Sequence, residues 1–171
     1  MAIVKTPAVP RLPAPAESAG ARKLNNKGQN MAEIRHLISI EAPPQQVYAA
    51  LATQAGLRSW WTADTTADDK AGGKAEFGFD KRGMTFRMTI EKLDPGRQVV
   101  WKCHGDNPEW VGTTLTWSIK PEGGGSLLRF TQSGWKDMTD MVATCNSTWG
   151  ELMYRLKGSV EGKNPGPHWR E

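Results

Sequence analysis

Apolar residues recur along this chain at two spacings, every second position in some stretches and every third or fourth in others. Ile34, His36, Ile38 and Ile40 alternate with Arg35, Leu37, Ser39 and Glu41, which predicts a strand whose inner row is apolar except for one histidine. Ala42-Pro43-Pro44 then starts a helix, because proline is tolerated in the first turn, and Val47, Tyr48 and Leu51 give it one apolar stripe. A second short helix fits residues 54–61 and ends in Trp60-Trp61. Asp64, Asp68 and Asp69, with Lys70 and flanking glycines, read as a mobile loop. Period-two stretches follow at Ala75/Phe77/Phe79, Met84/Phe86/Met88/Ile90, Val99/Trp101/Cys103, Leu115/Trp117/Ile119 and Leu128/Phe130/Gln132. Asp94-Pro95-Gly96 and the Pro-Glu-Gly-Gly-Gly run at 121–125 are turns, so these strands read as an antiparallel meander. The last element changes period: Met138, Met141, Val142, Cys145, Trp149, Leu152, Leu156 and Val160 mark one face of a helix of some twenty residues. It ends near Gly158–Gly162, since Pro165 and Pro167 forbid continuation.

A curved sheet with one apolar face wants a cover, and only the last helix is long enough to supply it. The expected fold is therefore α+β, a curved antiparallel sheet wrapped around a long C-terminal helix, with two short helices after the first strand. The opening IRHLISIEAPPQQVYAAL, then GLRSWWT, FRMTIEKLDPGRQVVWKC and WVGTTLTWSIKPEGGGSLLRFTQSGW, and the closing helix with Trp149, carry a resemblance. Over residues 33–162 the chain resembles the START-like helix-grip (SRPBCC) superfamily, in the branch related to the activator of the heat-shock-protein-90 ATPase. Members of that superfamily include lipid and hormone carriers, cyclases, hydrolases and co-chaperones, so the resemblance implies a fold and leaves activity open.

Composition excludes several classes. Hydrophobic residues at 38% and charged residues at 23% suit an ordinary globular chain, and no apolar run approaches the roughly 20 residues of a membrane helix. The net charge of +4 belongs to the first thirty residues, which hold Lys5, Arg11, Arg22, Lys23 and Lys27 against Glu17. Residues 31–171 keep 17 basic and 17 acidic side chains, without the basic footprint of a nucleic-acid binder. Residues 1–30 are rich in Pro and Ala and aperiodic, which predicts a disordered tail; codons for Lys27-Gly28 resembling a ribosome-binding site offer Met31 as an alternative start. The expected domain is 31–163, followed by a short tail, 164–171. Cys103 and Cys145 form no CxxC pair and read as reduced thiols of a cytoplasmic protein.

Chemistry-bearing groups are sparse. His36 is the histidine placed on an inward row; His104 sits at a strand end and His168 in the tail. No histidine–cysteine–carboxylate spacing suggests a metal, and no cofactor is implied. Asp106 and Glu109 lie in a polar loop, and Cys145 lacks an identifiable activating neighbour. The chain is instead rich in tryptophan, with eight, each combining a large apolar surface with one N–H. The candidate ligand-binding set is the residues placed at the junction of sheet and helix. From the sheet side these are His36, Phe77, Phe79, Phe86, Met88, Trp101, Trp117, Phe130 and Gln132; from the helix, Met141, Cys145, Trp149 and Met153; Trp60 closes one end. Trp61, Trp110 and Trp135 are equally at home at a rim or surface, and Trp169 in its proline-bounded tail carries no site role. The leading expectation is a non-enzymatic protein enclosing a small hydrophobic or aromatic molecule. The alternatives are a cyclase or hydrolase on an aromatic, polyketide-like substrate, and a co-chaperone-like module with a chaperone partner.

Overall fold

Seven strands and three helices fill residues 32–170, the part of the chain that the computed structural model describes. The order is β1 (Ala32–Ile40), α1 (Pro44–Ala52), α2 (Gln54–Arg58), β2 (Thr65–Ala67), β3 (Lys74–Phe79), β4 (Met84–Asp94), β5 (Gln98–Cys103), β6 (Thr114–Glu122), β7 (Gly125–Trp135) and α3 (Asp140–Val160). All strand pairs are antiparallel, in the spatial order β1-β7-β6-β5-β4-β3-β2. Strands β2 to β7 are a meander, and β1 closes on β7 with His36 opposite Phe130. This is the helix-grip arrangement. The expected disordered tail, residues 1–30, lies outside the described residues.

Each element forms where its pattern demands. Pro44 opens α1, where a missing N–H costs nothing. Thr53 caps α2 by accepting from Gly56 N at 3.0 Å, and Thr139 caps α3 by accepting from Val142 N at 3.4 Å. Asp140 in the first turn and Lys157 in the last suit the dipole of α3. Its buried face, Val142, Cys145, Trp149, Leu152, Met153 and Leu156, lies against the inward rows of the sheet.

Several boundaries differ from the pattern-based expectation. The α2 helix stops at Arg58, because Trp60 and Trp61 turn inward with both side chains buried. Thr65–Ala67 is a short edge strand rather than a loop; Thr65 Oγ1 donates to Thr62 O at 2.7 Å and its side chain is buried. Met138 lies outside α3 and is 72% exposed, since Thr139 takes the capping position. The C-terminal segment is no bare tail. Its Trp169 forms a parallel bridge with Thr62, and Ala63 N donates to Trp169 O at 2.9 Å.

Candidate functional site

Between the β3–β4 hairpin, the first half of α3 and the C-terminal segment lies a cavity of about 770 Å³, within the range of roughly 300–1,000 Å³ typical of drug-sized sites. Its walls are mainly rings: Trp61 from the turn after α2, Phe79 of β3, Phe86 of β4, Trp110 from the loop after β5, Trp149 of α3 and Trp169. Met84, Met141, Cys145 and Leu152 fill between them. Polar atoms come from Asp80, Asn107, Thr148, His168 and Arg170.

The rings hold one another in place. Phe86 stacks on Trp110 with centroids 4.1 Å apart and planes 11° apart. Phe79 meets Phe86 edge-on at 5.2 Å, and Trp169 meets Phe79 edge-on at 4.9 Å. A buried polar bracket orients the indoles from behind. Trp149 Nε1 donates to Gln132 Oε1 at 2.8 Å, and Gln132 Nε2 donates to Thr113 Oγ1 at 3.2 Å. Thr113 Oγ1 in turn donates to Trp110 O at 2.7 Å, while Trp110 Nε1 points at Cys145 Sγ, 3.3 Å away. These N–H groups are spent on the protein, so the Trp110 and Trp149 rings present apolar faces to the cavity.

The hairpin at the mouth has an unusual backbone. Asp80, Lys81 and Arg82 are consecutive non-glycine residues in the left-handed region, with φ of 49°, 52° and 68°. Such a turn costs roughly 1 kcal/mol or more per residue and needs an external hold. Arg82 supplies it by forking onto Asp64, with Nε–Oδ2 at 2.8 Å and Nη2–Oδ1 at 2.7 Å. Next to that fork, Arg82 and Arg87 both pair with Glu76, and Arg87 also pairs with Asp106.

Of the sequence-predicted set, Phe79, Phe86, Met141, Cys145 and Trp149 border the cavity. The others do not. Phe77, Trp101, Trp117, Phe130, Met88 and Met153 face inward but are sealed in the core, where Phe130 touches Trp149 at 4.3 Å and Trp101 meets Trp117 at 4.4 Å. The indole N–H groups of Trp101 and Trp117 have no acceptor there, a cost of filling the grip with rings. Trp60 is fully buried and donates from Nε1 to Ala50 O at 3.0 Å, so it braces α1 instead of closing the cavity. Gln132 serves the indole bracket, with both ends of its amide engaged. His36 lies beside Gly150 and stacks over Phe130 at 6.3 Å, away from the cavity. Alternation identifies the inward face; which part of that face α3 leaves uncovered depends on how the helix crosses it.

Trp61, Trp110 and Trp135 are buried and not at a surface, and the first two are cavity walls. Trp169 is a wall as well. A tryptophan in an otherwise polar, proline-bounded stretch is itself a sign that the stretch docks, and that signal was present in the sequence. His168 is the histidine that lines the cavity. Its Nδ1 is 3.2 Å from Glu151 Oε1, near enough to pair when protonated but outside hydrogen-bond geometry. Burial pushes the Cys145 thiol above its usual range, as it does Cys103, so neither is an activated nucleophile. Asp106 and Glu109 are engaged elsewhere, Asp106 with Arg87 and Glu109 as acceptor from the Thr139 hydroxyl at 2.5 Å. Among the described residues no group of three metal-ligating side chains occurs, and no helix is long and apolar enough to cross a membrane.

Residues 41–161 match the family model described as Activator of Hsp90 ATPase homolog 1-like protein. The chain belongs to that family. The solution structure of the Aha1 dimer from Colwellia psychrerythraea is 34% identical, with a TM-score of 0.71, over 77% of this chain and 98% of that one. CalU16 from Micromonospora echinospora shares the fold at 16% identity and a TM-score of 0.61, covering 78% of this chain and 87% of that one. DynU16, from the dynemicin biosynthetic locus, does so at 17% and 0.67, over 81% of this chain and 51% of its own. No curated protein matches the chain. The matched region ends at residue 161, yet three cavity residues, His168, Trp169 and Arg170, come from beyond it.

Proposed function

We propose that this protein binds a lipophilic, ring-bearing small molecule in the cavity walled by Trp61, Phe79, Phe86, Trp110, Trp149 and Trp169, and acts as a binding module. The observation that carries this reading is the preorganised aromatic lining, whose rings are fixed by mutual contacts and by the Gln132 bracket before any ligand arrives. Burial of a planar apolar molecule there needs no rearrangement of the core. Titration of intrinsic tryptophan fluorescence with a panel of lipophilic and aromatic compounds tests it. Saturable quenching is expected in the parent protein. It is expected to disappear in Thr148→Trp, which fills the cavity from the half-buried side of α3. Silence across the panel rejects the reading.

His168 favours a second reading, a cyclase or hydrolase on an aromatic substrate. Here His168 rather than His36 is the candidate base, because it borders the cavity next to Glu151. Once a turned-over substrate is in hand, full activity in His168→Ala would exclude that role. The family's link to the Hsp90 ATPase supports interaction with a chaperone as a further property, tested by pull-down with the host's Hsp90 homologue.

A further inference from the structure

Resting on the reading of this cavity as a binding site, we propose that the segment Lys163–Arg170 is a releasable strap, latched by Trp169, whose lifting widens the cavity and exposes its Cys145 wall. The segment has no helix or strand ladder of its own, and it supplies a wall that the family-matched region lacks. Its attachments are few and local. His168 N and Trp169 N donate to Trp61 O at 2.8 and 3.1 Å, and Ala63 N donates to Trp169 O at 2.9 Å. Arg155 clamps its other end, donating from Nη1 to the carbonyls of Pro165 and Gly166 at 3.2 and 3.0 Å. Trp169 is half-buried and makes its edge-on contact with Phe79.

None of these is a backbone bond of the seven-stranded sheet or of α3, from which Arg155 reaches with its side chain alone, so releasing them uncovers that side of the cavity without unfolding the domain. The chain is built to turn there. Gly162, Asn164 and Gly166 have φ of 79°, 47° and 72°, which gives pivots immediately after α3. Pro165 and Pro167 restrict the released segment and so reduce the entropy lost each time it closes.

Cys145 provides a readout that needs no ligand. It lines the cavity, whereas Cys103 is buried in the sheet away from it, and both are free thiols. The experiment measures N-ethylmaleimide labelling of each cysteine in the full chain by peptide mass mapping. The parent is compared with Arg155→Gln, which removes the clamp without touching the cavity, and with Trp169→Ala, which removes the latch. Faster labelling of Cys145 by about tenfold in both variants, with Cys103 unchanged, is expected for a local opening. Cys145 rates within about twofold of the parent in Arg155→Gln would overturn the strap, as would Cys103 accelerating in parallel, since that reports global unfolding. Binding is scored separately. Accelerated labelling in a protein that binds no compound of the panel keeps the strap and rejects the binding reading; saturable binding with unchanged labelling does the reverse.

Discussion

Replacing Gln132 by leucine removes the centre of the bracket behind the cavity at nearly constant side-chain shape. Gln132 is fully buried, accepts from Trp149 Nε1 and donates to Thr113 Oγ1. In Gln132→Leu the Trp149 N–H loses its acceptor in a place water does not reach, which costs roughly 1–3 kcal/mol. Thr113 loses less, because its hydroxyl still donates to Trp110 O. The expected destabilisation is about 2 kcal/mol, equivalent to a fall in Tm of roughly 4–8 °C for a domain of this size. Trp149→Phe removes the donor and strands the Gln132 carbonyl oxygen, in addition to vacating core volume. In the double variant neither orphan remains, so its loss should be smaller than the sum of the two single losses by about 1–2 kcal/mol. Urea denaturation followed by far-UV circular dichroism measures all four corners of the cycle without depending on the altered tryptophan. A coupling below about 0.3 kcal/mol would show that the two side chains act independently and would refute the bracket.

Other consequences are equally direct. Gly105→Ala places a Cβ 2.5 Å from Arg87 N and 2.9 Å from Thr85 O, backbone atoms of β4 that cannot yield, so a loss of roughly 2 kcal/mol should register in thermal unfolding. Glu161 accepts from Glu41 N at 2.8 Å and pairs with Lys157 and Lys163, and these contacts lower its carboxyl from 4.5 to about 2. A depressed carboxyl contributes stability that is complete above the unfolded value and disappears as pH falls toward the folded one. Glu161→Gln should therefore lower Tm at pH 7 and converge on the parent as pH drops from 4.5 to about 2; a constant gap over that window would remove the ionic explanation. His36→Leu relieves a buried Nε2 without a partner and should stabilise by about 1 kcal/mol while leaving ligand quenching intact. Lost quenching in that variant would place His36 in the site after all.

Six of the seven strands were legible because burial of one face writes a period of two into the residues; β2, three residues long, is too short to show one. The long helix was legible for the same reason at its own period. Boundaries were not. Trp60-Trp61 extend the apolar stripe of α2 on paper, but their rings leave the helix for the core. Met138 has the spacing of α3 and lies before its cap. The candidate site was half-visible. Phe79, Phe86, Cys145 and Trp149 could be placed on inward faces, whereas Trp110 and Trp169 sit in irregular segments whose direction no period encodes. The left-handed turn at Asp80–Arg82 was also invisible, because it depends on Asp64, distant in sequence, gripping Arg82.

By itself, then, the sequence determined which faces are apolar and the order of every element but the short edge strand β2, and with them a sheet closed around a helix. Those properties follow from local alternation and from the need to cover an apolar surface. Only the tertiary structure decided which inward residues are core and which border the cavity, because that depends on how far α3 and the C-terminal segment reach across the sheet. Hydrophobic burial rewards both outcomes alike; the difference is set by the distance between surfaces, which no single side chain carries.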